Sequence, residues 1–205
     1  MIIRFDKKLF ILLSLAFIIA AIIGTLSHEF GHYIVAKGLG YKASIHYAHT
    51  SLDGGLSESS NNRVLILSGG PLQTILMGMI GLLLLELRKR SFKTKARLTR
   101  GQWVLIFITL FWLRQTANLF VWLGDYLLTK QFSYSMDEIR IALELGLPFW
   151  SLAAITGLTG LVILCIVIFK FIPTPQRQTF ILSGIIGGVT GYILWLYLLG
   201  PVLLP

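Results

Sequence analysis

Five apolar runs, at roughly 9–36, 64–87, 102–127, 149–171 and 179–199, take up most of this 205-residue chain. A helix rises about 1.5 Å per residue, so each run is long enough to cross about 30 Å of hydrocarbon. In lipid a backbone amide has no water to pair with, and the runs therefore predict an all-α, polytopic bundle of about five transmembrane helices with short loops. With 55% hydrophobic and 13% charged residues and a mean hydropathy of +0.77, the chain leaves no room for a soluble domain of ordinary size. One membrane-embedded domain over 1–205 is expected. Arg4, Lys7 and Lys8 ahead of the first run also fit a secretory leader. Cleavage near Gly24 would leave the polar motif that follows on a frayed end, so the segment is read as a retained helix.

That motif is His28-Glu29-Phe30-Gly31-His32, an H-E-x-x-H sequence where the first run ends. Residues four apart share a helix face, so His28 and His32 can offer imidazole nitrogens to one zinc ion while Glu29 reaches water at the metal. Such a set performs metal-assisted amide hydrolysis, zinc lowering the pKa of water towards about 7 and Glu29 acting as general base. An ionisable cluster beside hydrocarbon is expensive and by default marks function. The alternative, two interfacial histidines beside an unrelated glutamate, leaves that cost unexplained.

Two histidines need a third protein ligand. On the third run Arg114, Asn118 and Asp125 fall within about 40° of one another at 100° per residue, one polar stripe in an apolar segment. Asp125 is the expected third ligand, with Asn118 and Arg114 as oxyanion partners. Asp137, Glu138, His46, His49 and Asp53 compete for the role from the loops. Asp137 reads more simply as the start of an amphipathic interfacial helix running to Leu147. His46 and His49 lie in Ser44–Ser51, whose weak alternation suits a short strand with surface imidazoles, and Asp53-Gly54-Gly55 is turn chemistry. Gly70-Pro71 in the second run implies either a kink that frees a carbonyl or tight packing on the first helix. Gly184, Gly187, Gly188 and Gly191 imply close helix contact, within the chain or in a homo-oligomer. Cys165 reads as a small packing residue, and Trp103, Trp122 and Trp150 as interfacial anchors.

The net charge of +9 is unevenly spread. Arg4, Lys7, Lys8, Arg88, Lys89, Arg90, Lys93, Lys95, Arg97, Arg100, Lys170 and Arg177 fall on one side of the expected topology, against Lys37, Lys42, Arg63, Lys130 and Arg140 on the other. The excess of lysine and arginine puts the N-terminus in the cytoplasm. It speaks for anionic lipid at loop 88–100 and against nucleic acid as a partner. His28 then lies about 28 Å along the first helix from residue 9, and Asp125 about 34 Å along the third from residue 102, both at the outer face with Gly70-Pro71.

These residues resemble the site-2 protease family of intramembrane zinc metallopeptidases. The resemblance rests on His28-Glu29-Phe30-Gly31-His32 with Ala36 and Gly40 after it, on Gly70-Pro71 opening the next span, and on an aspartate in the following one. Gln73 and Thr74 stand where the family often has asparagine, and Gly124-Asp125 has no proline before it. Membership implies a zinc metalloendopeptidase cutting membrane-anchored polypeptides, with His28, His32 and Asp125 on the metal and Glu29 as base. The competing function is a metal-binding membrane protein without proteolysis, an ion permease or an inactive protease-like binder of clients.

Overall fold

In a computed structural model that describes residues 5–54, 59–93 and 96–205, the apolar runs form an all-α bundle. Arg4, Gly55 and Lys95 lie outside the described residues. Asp6 accepts a hydrogen bond from the Leu9 amide (3.1 Å) and caps α1, Lys7–Gly38. The chain then turns at Gly40, whose φ of +86° suits a residue without a side chain. A two-stranded hairpin follows, β1 (Ala43–Ile45) antiparallel to β2 (Thr50–Leu52), with Ser44 opposite Ser51. Helix α2 (Ser60–Leu87) runs back along α1 and leads through α3 (Lys89–Lys93) to α4 (Arg100–Thr109), which opens on a capping box of Thr99 and Gln102. Next come α5 (Trp112–Thr129) and the short α6 (Asp137–Glu144). Helix α7 (Ser151–Ile166) continues through a π turn to Phe171, and α8 (Thr174–Ile193) through a second π turn into α9 (Gly200–Leu203).

Among the described residues, four helices are long and apolar enough to cross a membrane: Lys7–Gly38, Ser60–Leu87, Ser151–Phe171 and Thr174–Leu203. The pair α4–α5, bent by 49°, passes the same test of length and apolarity only when taken together. The expected straight helix over 102–127 is thus broken, although neither proline nor glycine stands at the break. The Thr109 hydroxyl bonds back to the Leu105 carbonyl (3.0 Å), competing with the helical ladder. Thr109 is also held against α2, where a Cβ on Gly81 would come 2.7 Å from the carbonyl carbon of Ile108. Helix α4 stays on α2 while α5 leaves to pack on α7.

The glycine stripe of the last span serves contact within the chain. A Cβ on Gly187 would lie 2.5 Å from the Ser14 carbonyl oxygen and one on Gly191 2.8 Å from the Ile18 Cα, so α8 meets α1 almost backbone to backbone. Gly188 faces open space. Gly187→Leu is therefore expected to cost about 1–3 kcal/mol through overpacking. It should lower the thermal midpoint in detergent by several degrees, whereas Gly188→Leu should leave it in place.

The main core gathers Leu13, Phe17, Leu85, Ile106, Val167 and Phe180. Leu13 lies about 22 Å along α1 from the histidine motif. A smaller cluster, Leu119, Trp122, Ile139 and Ala153, roots α6 on α5 and α7. Two of the tryptophans expected at the membrane interfaces are turned inward. Trp103 stacks on Phe180 (5.8 Å) and Trp122 on Phe132 (5.2 Å), both buried, and Trp150 is exposed. Cys165 is exposed on α7 rather than packed.

Candidate metal centre

His28 and His32 stand one turn apart on α1, and their Nε2 atoms approach to 3.2 Å. Asp137, the first residue of α6, completes the group: its Oδ2 lies 3.0 Å from His28 Nε2 and 3.2 Å from His32 Nε2. Both histidines are buried. Their outer nitrogens are held by α2. The Thr74 hydroxyl donates its proton to the Gly70 carbonyl (3.0 Å), so at His28 Nδ1 (3.1 Å) it accepts. His32 Nδ1 donates to the Ile66 carbonyl (2.7 Å). The Gly70 amide lies 3.4 Å from the same nitrogen, and the shorter contact to a group that only accepts decides the tautomer. In the neutral rings, then, both protons sit on Nδ1 and both Nε2 lone pairs point at one carboxylate oxygen. Three converging lone pairs with no proton between them make a group that could hold a cation, and N, N, O is a donor set that metal centres use.

The small residues of both motifs make that convergence fit. A Cβ on Gly69 would come 2.5 Å from the Gly31 carbonyl oxygen, so α1 and α2 cross in backbone contact at Gly31 and Gly69. A Cβ on Gly70 would fall 2.5 Å from His28 Nε2 and would also strike His32 Nε2, the two atoms that converge on Asp137 Oδ2. Of the two readings of Gly70-Pro71, tight packing on the first helix is what α2 displays. Pro71 itself is buried within the helix, where its ring takes the place of a ladder donor.

Glu29 is buried beside the histidines, and the hairpin reaches it. The Thr50 hydroxyl lies 2.9 Å from the Glu29 carbonyl oxygen and 3.2 Å from its Oε2. The hairpin tip is in turn tied to the last span, Tyr47 donating its amide to the Leu204 carbonyl (2.9 Å) and accepting from Trp195 Nε1 (2.8 Å). Arg114 comes over from α5, its Nη1 3.4 Å from the Thr25 hydroxyl on α1, and its charge acts on Glu29, Asp137 and Glu138. Its Nε is buried without a partner among the described residues. Asn118 is half-buried one turn further along α5.

Asp125 does not join the group. It is exposed near the end of α5, where its carbonyl accepts from the Thr129 hydroxyl (2.8 Å). The reason is the bend: an estimate along a straight helix does not describe α5, which sets off in a new direction at Trp112. The residue expected only to start an interfacial helix does start one and brings its carboxylate to the histidines. Glu138, buried next to it, is pushed up by burial and by the Asp137 charge. His46 faces away, bonded to Ser51 Oγ (2.9 Å), stacked on His49 (4.6 Å) and touching the Pro205 carbonyl. Asp53 and Gly54 form a turn, with φ +89° at the glycine. Among the described residues, His28, His32 and Asp137 are the group that could hold a metal ion.

A family model described as Peptidase M50B-like matches residues 8–138. The matched stretch begins in α1 and closes one residue past Asp137, so it contains all three donors. No curated protein and no solved structure matches the chain.

Proposed function

The chain belongs to the peptidase M50B-like family, and we propose that it is a zinc metalloendopeptidase that hydrolyses peptide bonds of membrane-anchored polypeptides near the outer membrane face. The observation that carries this reading is the meeting of His28 Nε2, His32 Nε2 and Asp137 Oδ2 within 3.2 Å, with Glu29 in the same helical turn. Two imidazoles and one carboxylate, with a position left open for water and substrate, are the set preferred by catalytic zinc. When bound, zinc supplies the Lewis acidity that makes water a nucleophile at neutral pH and polarises a carbonyl. Glu29 takes the proton of the attacking water and returns it to the leaving amine, and Thr50 fixes the carboxylate oxygen that does so. Arg114, a half-buried cation whose buried Nε–H has no partner among the described residues, faces the negative charge that develops on the scissile carbonyl oxygen, with Asn118 behind it on α5.

A substrate helix hides its carbonyls in its own hydrogen bonds, so the preferred substrate carries a helix-destabilising stretch that unwinds at the site. The lysine and arginine excess supports an N-terminus in the cytoplasm, an active site on the opposite side of the cell membrane and anionic lipid at loop 88–100. The test is zinc per polypeptide in detergent-purified protein, with cleavage of a reconstituted membrane-anchored reporter. About one zinc in the wild type, lost in Asp137→Ala and retained in Asp125→Ala, together with chelator-sensitive cleavage is the expected result. Zinc without cleavage would favour a binder of membrane clients, and no zinc in metal-replete protein would sink the reading.

A further inference from the structure

Two of the three donors sit on α1 and are braced by α2, but the third arrives on α6, a separate helix of eight residues hung between loops 130–136 and 145–150. At its far end α6 is fastened to α2. Arg63 Nε lies 3.0 Å from Glu144 Oε1, Arg63 Nη2 donates to Glu144 Oε2 (3.2 Å), and the Ser60 hydroxyl donates to the same oxygen (2.8 Å). The direction of the Nε–H misses hydrogen-bond geometry, so Nη2 and Ser60 carry the directed bonds and Nε adds charge. Among the described residues this is the one ion pair between α6 and α2.

The register of the two helices is what links the pair to the metal centre. Seven residues separate Arg63 from Gly70 on α2, and seven separate Glu144 from Asp137 on antiparallel α6. Both intervals rise about 10.5 Å. When Glu144 is held at Arg63, Asp137 is therefore held at the level of Gly70, where both Nε2 atoms lie. Helix α2 acts as one ruler for all three donors, with Ile66 and Thr74 setting the imidazoles and Ser60 and Arg63 setting the carboxylate. A glutamate as the last residue of a helix opposes that helix's own dipole. Glu144 gains its rationale from the first turn of α2, whose positive end faces it.

We propose that Ser60, Arg63 and Glu144 form a latch that positions Asp137, so that the metal affinity of the centre depends on an ion pair about 10 Å from it. This rests on the reading of His28, His32 and Asp137 as metal ligands. The three latch residues are positioning residues and touch no reacting atom.

Chelator competition on purified full-length protein should show zinc bound roughly threefold to tenfold more weakly in Glu144→Gln, because a partly exposed pair is modest in strength while an outer residue acts on every ligand it orients. The charge-swapped Arg63→Glu/Glu144→Arg chain should recover most of the loss, which a residue needed only for solubility or folding would not allow. A metal-free readout runs beside it: spin labels on Leu65→Cys and Leu143→Cys, both exposed positions on α2 and α6, in a Cys165→Ser background. Their distance distribution should broaden in Glu144→Gln and narrow again in the swap. Unchanged affinity or an unchanged distribution in Glu144→Gln would overturn the latch. Failure of the wild type to bind zinc would instead overturn the metal assignment, and the spin-label distances would still judge the latch.

Discussion

Glu29→Gln is expected to leave zinc uptake intact and to reduce peptide cleavage by about three orders of magnitude, the scale of a general base removed from its proton. Glutamine keeps the volume and one carbonyl oxygen, so it can still accept from the Thr50 hydroxyl that lies 3.2 Å from Glu29 Oε2. What it loses is the ability to take a proton from water and hand it to the leaving nitrogen. Neither His28 nor His32 bonds to Glu29; their partners are Asp137, Thr74 and the Ile66 carbonyl, so the donor set survives the change. Single-turnover cleavage of a reconstituted membrane-anchored reporter, with zinc counted in the same preparation, checks it. Undiminished cleavage would remove Glu29 from the mechanism, and loss of zinc together with activity would make it a ligand or a packing residue instead. Thr50→Val should lower cleavage about tenfold with zinc unchanged, since the carboxylate keeps its chemistry and loses only its orientation.

The helical half of the site was readable because its spacing is local. His28, Glu29 and His32 depend only on 3.6 residues per turn, and the five apolar runs depend only on length, so both were legible without any tertiary knowledge. The third donor was a question of topology. Asp137 lies more than a hundred positions from the histidines, beyond a 49° bend after Thr109 that no proline or glycine announces. That bend arises from a threonine bonding its own helix and from contact with Gly81, a helix away. Sequence periodicity carried Asp125 along a straight helix to the wrong place. The same limit explains the tryptophans. An indole near a helix end reads as an interfacial anchor, and only the neighbouring Phe180 and Phe132 turn Trp103 and Trp122 into core residues. The hairpin was faintly visible as alternation, but its reach to Glu29 through Thr50 is a tertiary fact.

Gly70→Ala should weaken zinc binding at least about a hundredfold in a protein that remains folded, an effect opposite in sign to the usual one. In a helix interior alanine is favoured over glycine by about 1 kcal/mol, so a glycine there without a reason is a liability. The reason at Gly70 is the metal position. An added methyl would sit 2.5 Å from His28 Nε2 and 2.7 Å from His28 Cδ2, on a backbone fixed by helix α2. The rings have little room to yield, because His28 is tied to Thr74 at 3.1 Å and His32 to the Ile66 carbonyl at 2.7 Å on the same helix. To escape the methyl, His28 must leave its rotamer and break that bond, and its lone pair then no longer meets those of His32 and Asp137. With one of three ligands misdirected, affinity should fall at least about a hundredfold, the loss of a ligand exceeding that of a group that merely orients one. Gly188→Ala on α8 is the matched control, since a Cβ there meets nothing and the substitution should be neutral or stabilising. Chelator competition and thermal unfolding measured on both variants separate the outcomes. Weak zinc in a Gly70→Ala protein that still unfolds cooperatively without metal, its midpoint lowered by no more than the about 1–3 kcal/mol of overpacking, supports a site cleared by glycine, whereas full zinc occupancy would show that His28 Nε2 does not face the metal.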